Sequence, residues 1–202
     1  MSGPLLQLLA TGLQLWIRRQ CEQIGALSLE LEGRDLQLLR GRLAGAQLQA
    51  RQVRYRGLEL DAVTLTSEPI SLQVAGLRRG QAIELGQPFG IRGEVRFSPE
   101  GLEHSLAQAS WQPLADQLAG QLLGSAAWRG SSLSLRREHL VLRSHGALEL
   151  ETSLSAEAGT VLIRAVDGSA ELRLPMDPAV RIERAAVENG RLVLQGRATV
   201  TP

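Results

Sequence analysis

From Leu27 onward the chain alternates apolar and polar residues with the period of a β-strand that has one face covered. Leu27, Leu29 and Leu31 alternate with Ser28, Glu30 and Glu32, and Ala46, Leu48 and Ala50 with Gln47, Gln49 and Arg51. Leu58 and Leu60 then give way to Val63 and Leu65, an extra residue that predicts a β-bulge near Asp61–Ala62. Ile70, Leu72 and Val74 resume the alternation, and Phe89, Ile91, Val95 and Phe97 alternate with Arg92, Glu94 and Arg96. Gly93 interrupts that last apolar face, and an interior glycine marks a bend or the close approach of another backbone. The same period returns from Leu133 to Val200, with turn residues at Ala158-Gly159, Asp167-Gly168 and Asn189-Gly190. Short strands joined by such turns predict an antiparallel sheet.

Three segments carry helical spacing instead. In the first, Leu5, Leu6, Leu9, Leu13, Leu15, Trp16 and Ile17 share one broad face, with Gln7, Thr11, Gln14 and Arg18 opposite and Pro4 in the first turn. Ser98-Pro99-Glu100 reads as N-cap, first helical residue and early acidic residue of a second helix carrying Leu102 and Leu106. The third runs from Trp111 to Leu123 with Leu114, Ala115, Leu118 and Leu122 on one side. The predicted organisation is one α+β domain over residues 1–202. It has an N-terminal amphipathic helix at 1–22, strands at 25–97, helices at 98–123 and further strands at 131–200. A strongly curved antiparallel sheet should wrap the helices, with Phe89, Ile91, Phe97, Leu102, Leu106, Leu118 and Leu122 buried or lining an apolar groove.

At 202 residues such a domain can bury roughly 70% of its unfolded surface. Charge is balanced, with 22 basic and 21 acidic residues, and every basic residue is Arg. Balance of this kind argues against a nucleic-acid partner, and three Trp, two Phe and one Tyr are too few for a base-stacking platform. Cys21 is the lone cysteine and can form no internal disulfide. The uncharged stretch 1–17 is too short and too polar to span a bilayer, which needs about 20 apolar residues. Its arginines, Arg18 and Arg19, follow the apolar run, whereas a secretory signal would place positive charge before it. Two roles stay open for this helix: packing on the sheet, or lying at a membrane interface through Leu9, Leu13, Trp16, Arg18 and Arg19.

No constellation for catalysis is evident. His104, His139 and His145 lack metal-ligand spacing, and there is no phosphate loop or nucleophile elbow. Neither catalytic residues, nor a metal, nor a cofactor is expected. The polar signal is arginine, in Arg54 and Arg56 around Tyr55 and in Arg78-Arg79, and guanidinium groups bind phosphate in bidentate fashion.

Two stretches carry a family resemblance. The first combines Leu38, Leu39, Gly41 and Leu43 with Ala50, Val53, Tyr55, Gly57, Leu58 and Leu60, then Ile70 and Leu72. The second is Pro88, Phe89, Ile91, Val95, Phe97, Ser98, Gly101, Leu102, Ser105 and Leu106. Together they resemble the LmeA-like phospholipid-binding family. The resemblance implies a tubular-lipid-binding type of fold, a half-barrel whose curved sheet wraps a helix and leaves an apolar groove for acyl chains. It further implies non-catalytic binding of phospholipid, with Arg54, Arg56, Arg78 and Arg79 as head-group candidates. With neither signal nor anchor evident, the expected location is cytoplasmic and peripheral to a membrane. The competing reading is a protein-interaction domain whose core is filled by its own helices and whose edge binds a partner chain.

Overall fold

The alternating segments form three antiparallel sheets in the computed structural model, which describes residues 3–73, 84–124, 131–144 and 149–202. The largest has six strands in the order β1 (Gln23–Glu32), β3 (Gly45–Tyr55), β4 (Leu58–Ser67), β7 (Phe89–Phe97), β14 (Arg191–Val200) and β13 (Val180–Glu188). A five-stranded sheet runs β12 (Glu171–Arg173), β11 (Thr160–Ala165), β10 (Glu149–Glu157), β9 (His139–Arg143) and β8 (Ser132–Arg136). A small third sheet joins β2 (Arg42–Leu43), β5 (Ile70–Gln73) and β6 (Glu84–Leu85). With its helices this is an α+β architecture, and among the described residues no sheet closes on itself. Val74, Arg78, Arg79, His145 and Leu148 lie outside the described residues.

Four helices cover these sheets among the described residues. Helix α1 (Pro4–Gln20) starts with proline but has no capping side chain of its own. Asp35 of α2 (Asp35–Leu39) supplies the cap, its carboxylate accepting from the Leu5 N–H at 3.3 Å and the Leu6 N–H at 3.2 Å. Helix α3 (Pro99–Ala107) begins as the sequence reads, with Ser98 Oγ accepting from the Gly101 N–H at 3.0 Å. Helix α4 (Gln112–Leu123) follows directly.

Two cores result, one at each side of the six-stranded sheet. At the β1 side, Leu6 of α1 is buried with Leu29, Leu31, Leu38 and Leu43, and Leu9, Leu13 and Ile17 pack beside it. The inward stripe of α1 is therefore narrower than the face read from the sequence: Leu5, Leu15 and Trp16 of that face are exposed, as is Leu8. At the β13 side, Leu118 and Leu122 of α4 are buried with Leu142, Ile163, Leu172 and Ile182, and β10 and β11 pack against β13.

The period change at Asp61–Ala62 is real but is not a bulge in β4. Register with β3 stays constant from Arg51↔Ala62 to Val53↔Leu60, so the alternation changes in both strands at one level, where Gln52 of β3 lies in the left-handed region at φ 52°. The bulge lies instead in β13, between Ile182 and Arg184, opposite Gly196 of β14. A Cβ at Gly196 would fall 2.4 Å from the Arg181 carbonyl oxygen. That obstacle is backbone and cannot rotate away. Gly196→Ala is therefore expected to cost about 1–3 kcal/mol, read as a lower urea midpoint with an unchanged slope.

Candidate functional site

Cross-strand register assembles an apolar surface that no single segment contains. One row runs across all six strands: Leu29, Leu48, Leu65, Gly93, Gly196, Ile182. The next is Leu27, Ala50, Val63, Val95, Leu194, Ala185. On the opposite face a corresponding row reads Ser28, Gln49, Thr64, Glu94, Gln195, Arg184. The two faces differ completely in polarity, as strict alternation requires.

The ends of the apolar rows are covered and the middle is not. Leu29 and Leu48 belong to the core under α1, and Ile182 and Ala185 to the core under α4. Between them, Leu65, Ile91, Gly93, Val95, Leu194 and Gly196 line an open groove of about 280 Å³. Phe97, Leu58 and Leu60 line one end, where α3 crosses close to β4: the Glu59 N–H donates to Ser105 Oγ at 2.9 Å. At the other end lie Ala198, Val180 and Arg197, the one charged residue in the lining. Two facing glycines form the floor. A Cβ at Gly93 would meet Leu65 Cδ2 at 2.5 Å, so the absent side chain is what leaves the central space to Leu65 and the groove.

Ile91 and Phe97 are thus brought together in the groove, whereas Phe89 lines an adjoining cleft of mixed polarity with Ile91, Arg92 and Thr199. Leu106, Leu118 and Leu122 are buried in the α4 core and Leu102 packs against it, so these four close the structure rather than line the groove. Leu65, Val95, Leu194 and Gly196 also line the groove, and nothing in their own segments marks them as site residues. The one usable signal in the sequence is Gly93 interrupting an apolar strand face.

The head-group candidates Arg54 and Arg56 are already engaged. Arg54 pairs with Glu59, which also meets His104 Nδ1 at 3.1 Å, and the Arg56 guanidinium lies 5.3 Å from the Tyr55 ring centre. Partial burial opposes ionisation of Glu59, but hydrogen bonds from His104 and Arg54 outweigh it and hold the carboxyl below its usual range. On the polar face a hydrogen bond from Gln195 leads in holding Glu94 low against partial burial, with Arg96 and Arg184 adding to it. Arg197 pairs with Glu183, while Arg92, directly across from Arg197, has no ion-pair partner among the described residues. Trp16, Arg18 and Arg19 are exposed on α1, and Leu9 and Leu13 face the core.

Among the described residues no three His, Cys, Asp or Glu side chains are grouped to hold a metal ion. Burial, with Glu22 adding, pushes the Cys21 thiol up, which opposes thiolate formation. What the groove can do is remove apolar surface from water. Among the described residues no helix is long and apolar enough to cross a membrane. No curated protein and no solved structure matches the chain. The model of the LmeA-like phospholipid-binding family matches residues 2–197, nearly the whole length, and the chain belongs to that family.

Proposed function

We propose that this protein binds phospholipid without catalysis, seating an acyl chain in the apolar groove over β4, β7 and β14. The observation that carries the reading is the register row whose ends belong to the α1 core and to the core where β10 and β11 pack on β13, and whose centre, Leu65–Gly93–Gly196, stays open. A half-barrel of the tubular-lipid-binding type, with the six-stranded sheet as its curved wall, fits this placement. At about 280 Å³ the groove sits at the small end of ligand pockets, typically ~300–1,000 Å³, which suits one acyl chain better than two. The head group is assigned to the Ala198 end. Arg197 stands in the lining there, and Arg92, opposite it in register on the polar face of the sheet, has no ion-pair partner among the described residues. Of the arginines near the groove, Arg92 keeps a charge outside any ion pair among the described residues, whereas Arg197 pairs with Glu183 and Arg54 with Glu59. A lipid taken up in this way makes the protein peripheral to the membrane that supplies it.

Burial of each methylene contributes about 0.8 kcal/mol, so two added methylenes should tighten binding by roughly tenfold until the groove is full. Competition between phospholipids of one head group and different chain length tests this. Affinity should climb with length and then level off, while changing the head group among anionic lipids should matter less. Equal binding of short and long chains would instead favour the protein-partner reading.

A further inference from the structure

Helix α1 has three sides rather than two. Leu6, Leu9, Leu13 and Ile17 turn inward onto the β1-side core. Gln14 and Arg18 reach the backbone of β1, at Leu29 O and Ile24 O. The third side is apolar and open: Leu5, Leu8, Leu15 and Trp16 are between 40% and 70% exposed. Leu36 and Leu39 of α2 are each 61% exposed, and the Asp35 carboxylate ties α2 to the first turn of α1. Six of the nine large apolar side chains exposed among the described residues therefore fall on these two helices. An apolar patch this concentrated marks an interaction surface.

Charge around the patch identifies the partner. Arg19 on α1 and Arg34, Arg40 and Arg42 around α2 are exposed, and none has an ion-pair partner among the described residues. On the strands from β8 to β14 the pattern differs: of eight arginines, all but Arg181 (Arg136, Arg143, Arg164, Arg173, Arg184, Arg191 and Arg197) pair with a carboxylate. The acids near α1 and α2 are already occupied or turned away. Asp35 caps α1, Glu32 accepts from Gln47, Glu22 accepts from the Gly57 N–H, and Glu30 alternates onto the opposite face of β1 from Leu29 and Leu31. Leucine and tryptophan ringed by unpaired arginine match the interface of a bilayer with anionic head groups, where the apolar side chains insert and the guanidinium groups meet phosphate.

We propose that the outer faces of α1 and α2 are a docking surface for an anionic phospholipid bilayer. The proposal rests on the lipid reading above for what the docked protein takes up, since α1 also covers one end of the apolar rows that lead into the groove. It assigns the contact to Leu8, Leu15, Trp16, Leu36 and Leu39, and leaves Leu9 and Leu13 to the core.

The test is sedimentation of the full chain with phosphatidylcholine vesicles, with and without phosphatidylglycerol. Wild type should sediment with the anionic vesicles and much less with neutral ones. A double variant, Leu8→Gln with Leu15→Gln, should lose binding on the order of tenfold with its melting temperature kept, because both side chains are already in water. Arg19→Gln and Arg40→Gln should each weaken binding by roughly fivefold, and added salt should do the same to wild type. Gly93→Leu, which fills the groove, should still sediment, and the α1 variants should still carry lipid after purification. Sedimentation unchanged in the α1 variants would overturn the proposal, as would equal binding to neutral vesicles. So would a concentration-dependent dimer dispersed by the same substitutions, which would make a second copy the partner. Loss of sedimentation in Gly93→Leu alone would assign vesicle binding to the groove and overturn it too.

Discussion

Gly93→Leu is expected to empty the groove of lipid and leave the fold in place. The residue lies at the centre of the six-stranded sheet between Leu65 and Gly196, on the face that lines the groove. A side chain there projects into the space an acyl chain would fill. Excluding only two methylenes costs about 1.6 kcal/mol, more than tenfold in affinity, and a leucine excludes at least that. Stability should change by no more than about 1–2 kcal/mol, because the nearest obstacle is the tip of Leu65, which can rotate into open groove. The contrast with Gly196→Ala is diagnostic, since there the obstacle is backbone. Phosphorus assay of detergent-free preparations, alongside a melting curve, reads both quantities. A Gly93→Leu protein that melts normally and still carries lipid would show that the groove is not the site.

Removing residues 1–20 is expected to cost about 4–7 kcal/mol of stability. Leu6 is 1% exposed, and burying such a side chain is worth about 1.5–3 kcal/mol. Leu9, Leu13 and Ile17, half-buried, add roughly half as much each. The truncation also uncovers Leu29, Leu31 and Leu43, and leaves the Asp35 carboxylate without the two N–H groups it caps. Losses of this size are comparable with the total stability of many domains, ~5–15 kcal/mol, so the truncated chain should melt far lower or fail to fold. An unchanged melting temperature would mean that α1 makes no structural contribution, and that its inward stripe is not packed in solution.

How far the sequence could be read follows from the range of each interaction. Strand alternation is local, and the runs around Leu27–Leu31, Ala46–Ala50 and Phe89–Phe97 became strands as read. The Ser98 cap is local as well and appears as expected. Helix α2 leaves no mark on the sequence pattern, because five residues are too few to show a helical period. The period break at Asp61–Ala62 has two possible causes, an extra residue or a paired switch of faces, and only register with β3 separates them. The site divides in the same way. Ile91 and Phe97 were readable as apolar strand residues, but that they meet Leu65 and Leu194 depends on pairings between strands far apart in the chain. Leu118 and Leu122 show the converse: an apolar helix face announces burial without saying whether protein or ligand does the covering. Nor could composition show that Arg54 finds Glu59 while Arg92 finds no ion-pair partner among the described residues.

Mass spectrometry of an organic extract from protein purified without detergent tests the central claim most directly. Wild-type protein should yield phospholipid in near-stoichiometric amount, enriched in chain lengths that fill the groove, and Gly93→Leu purified in parallel should yield little. Wild-type protein that carries no phospholipid, and takes none up from vesicles after extraction, would contradict the account.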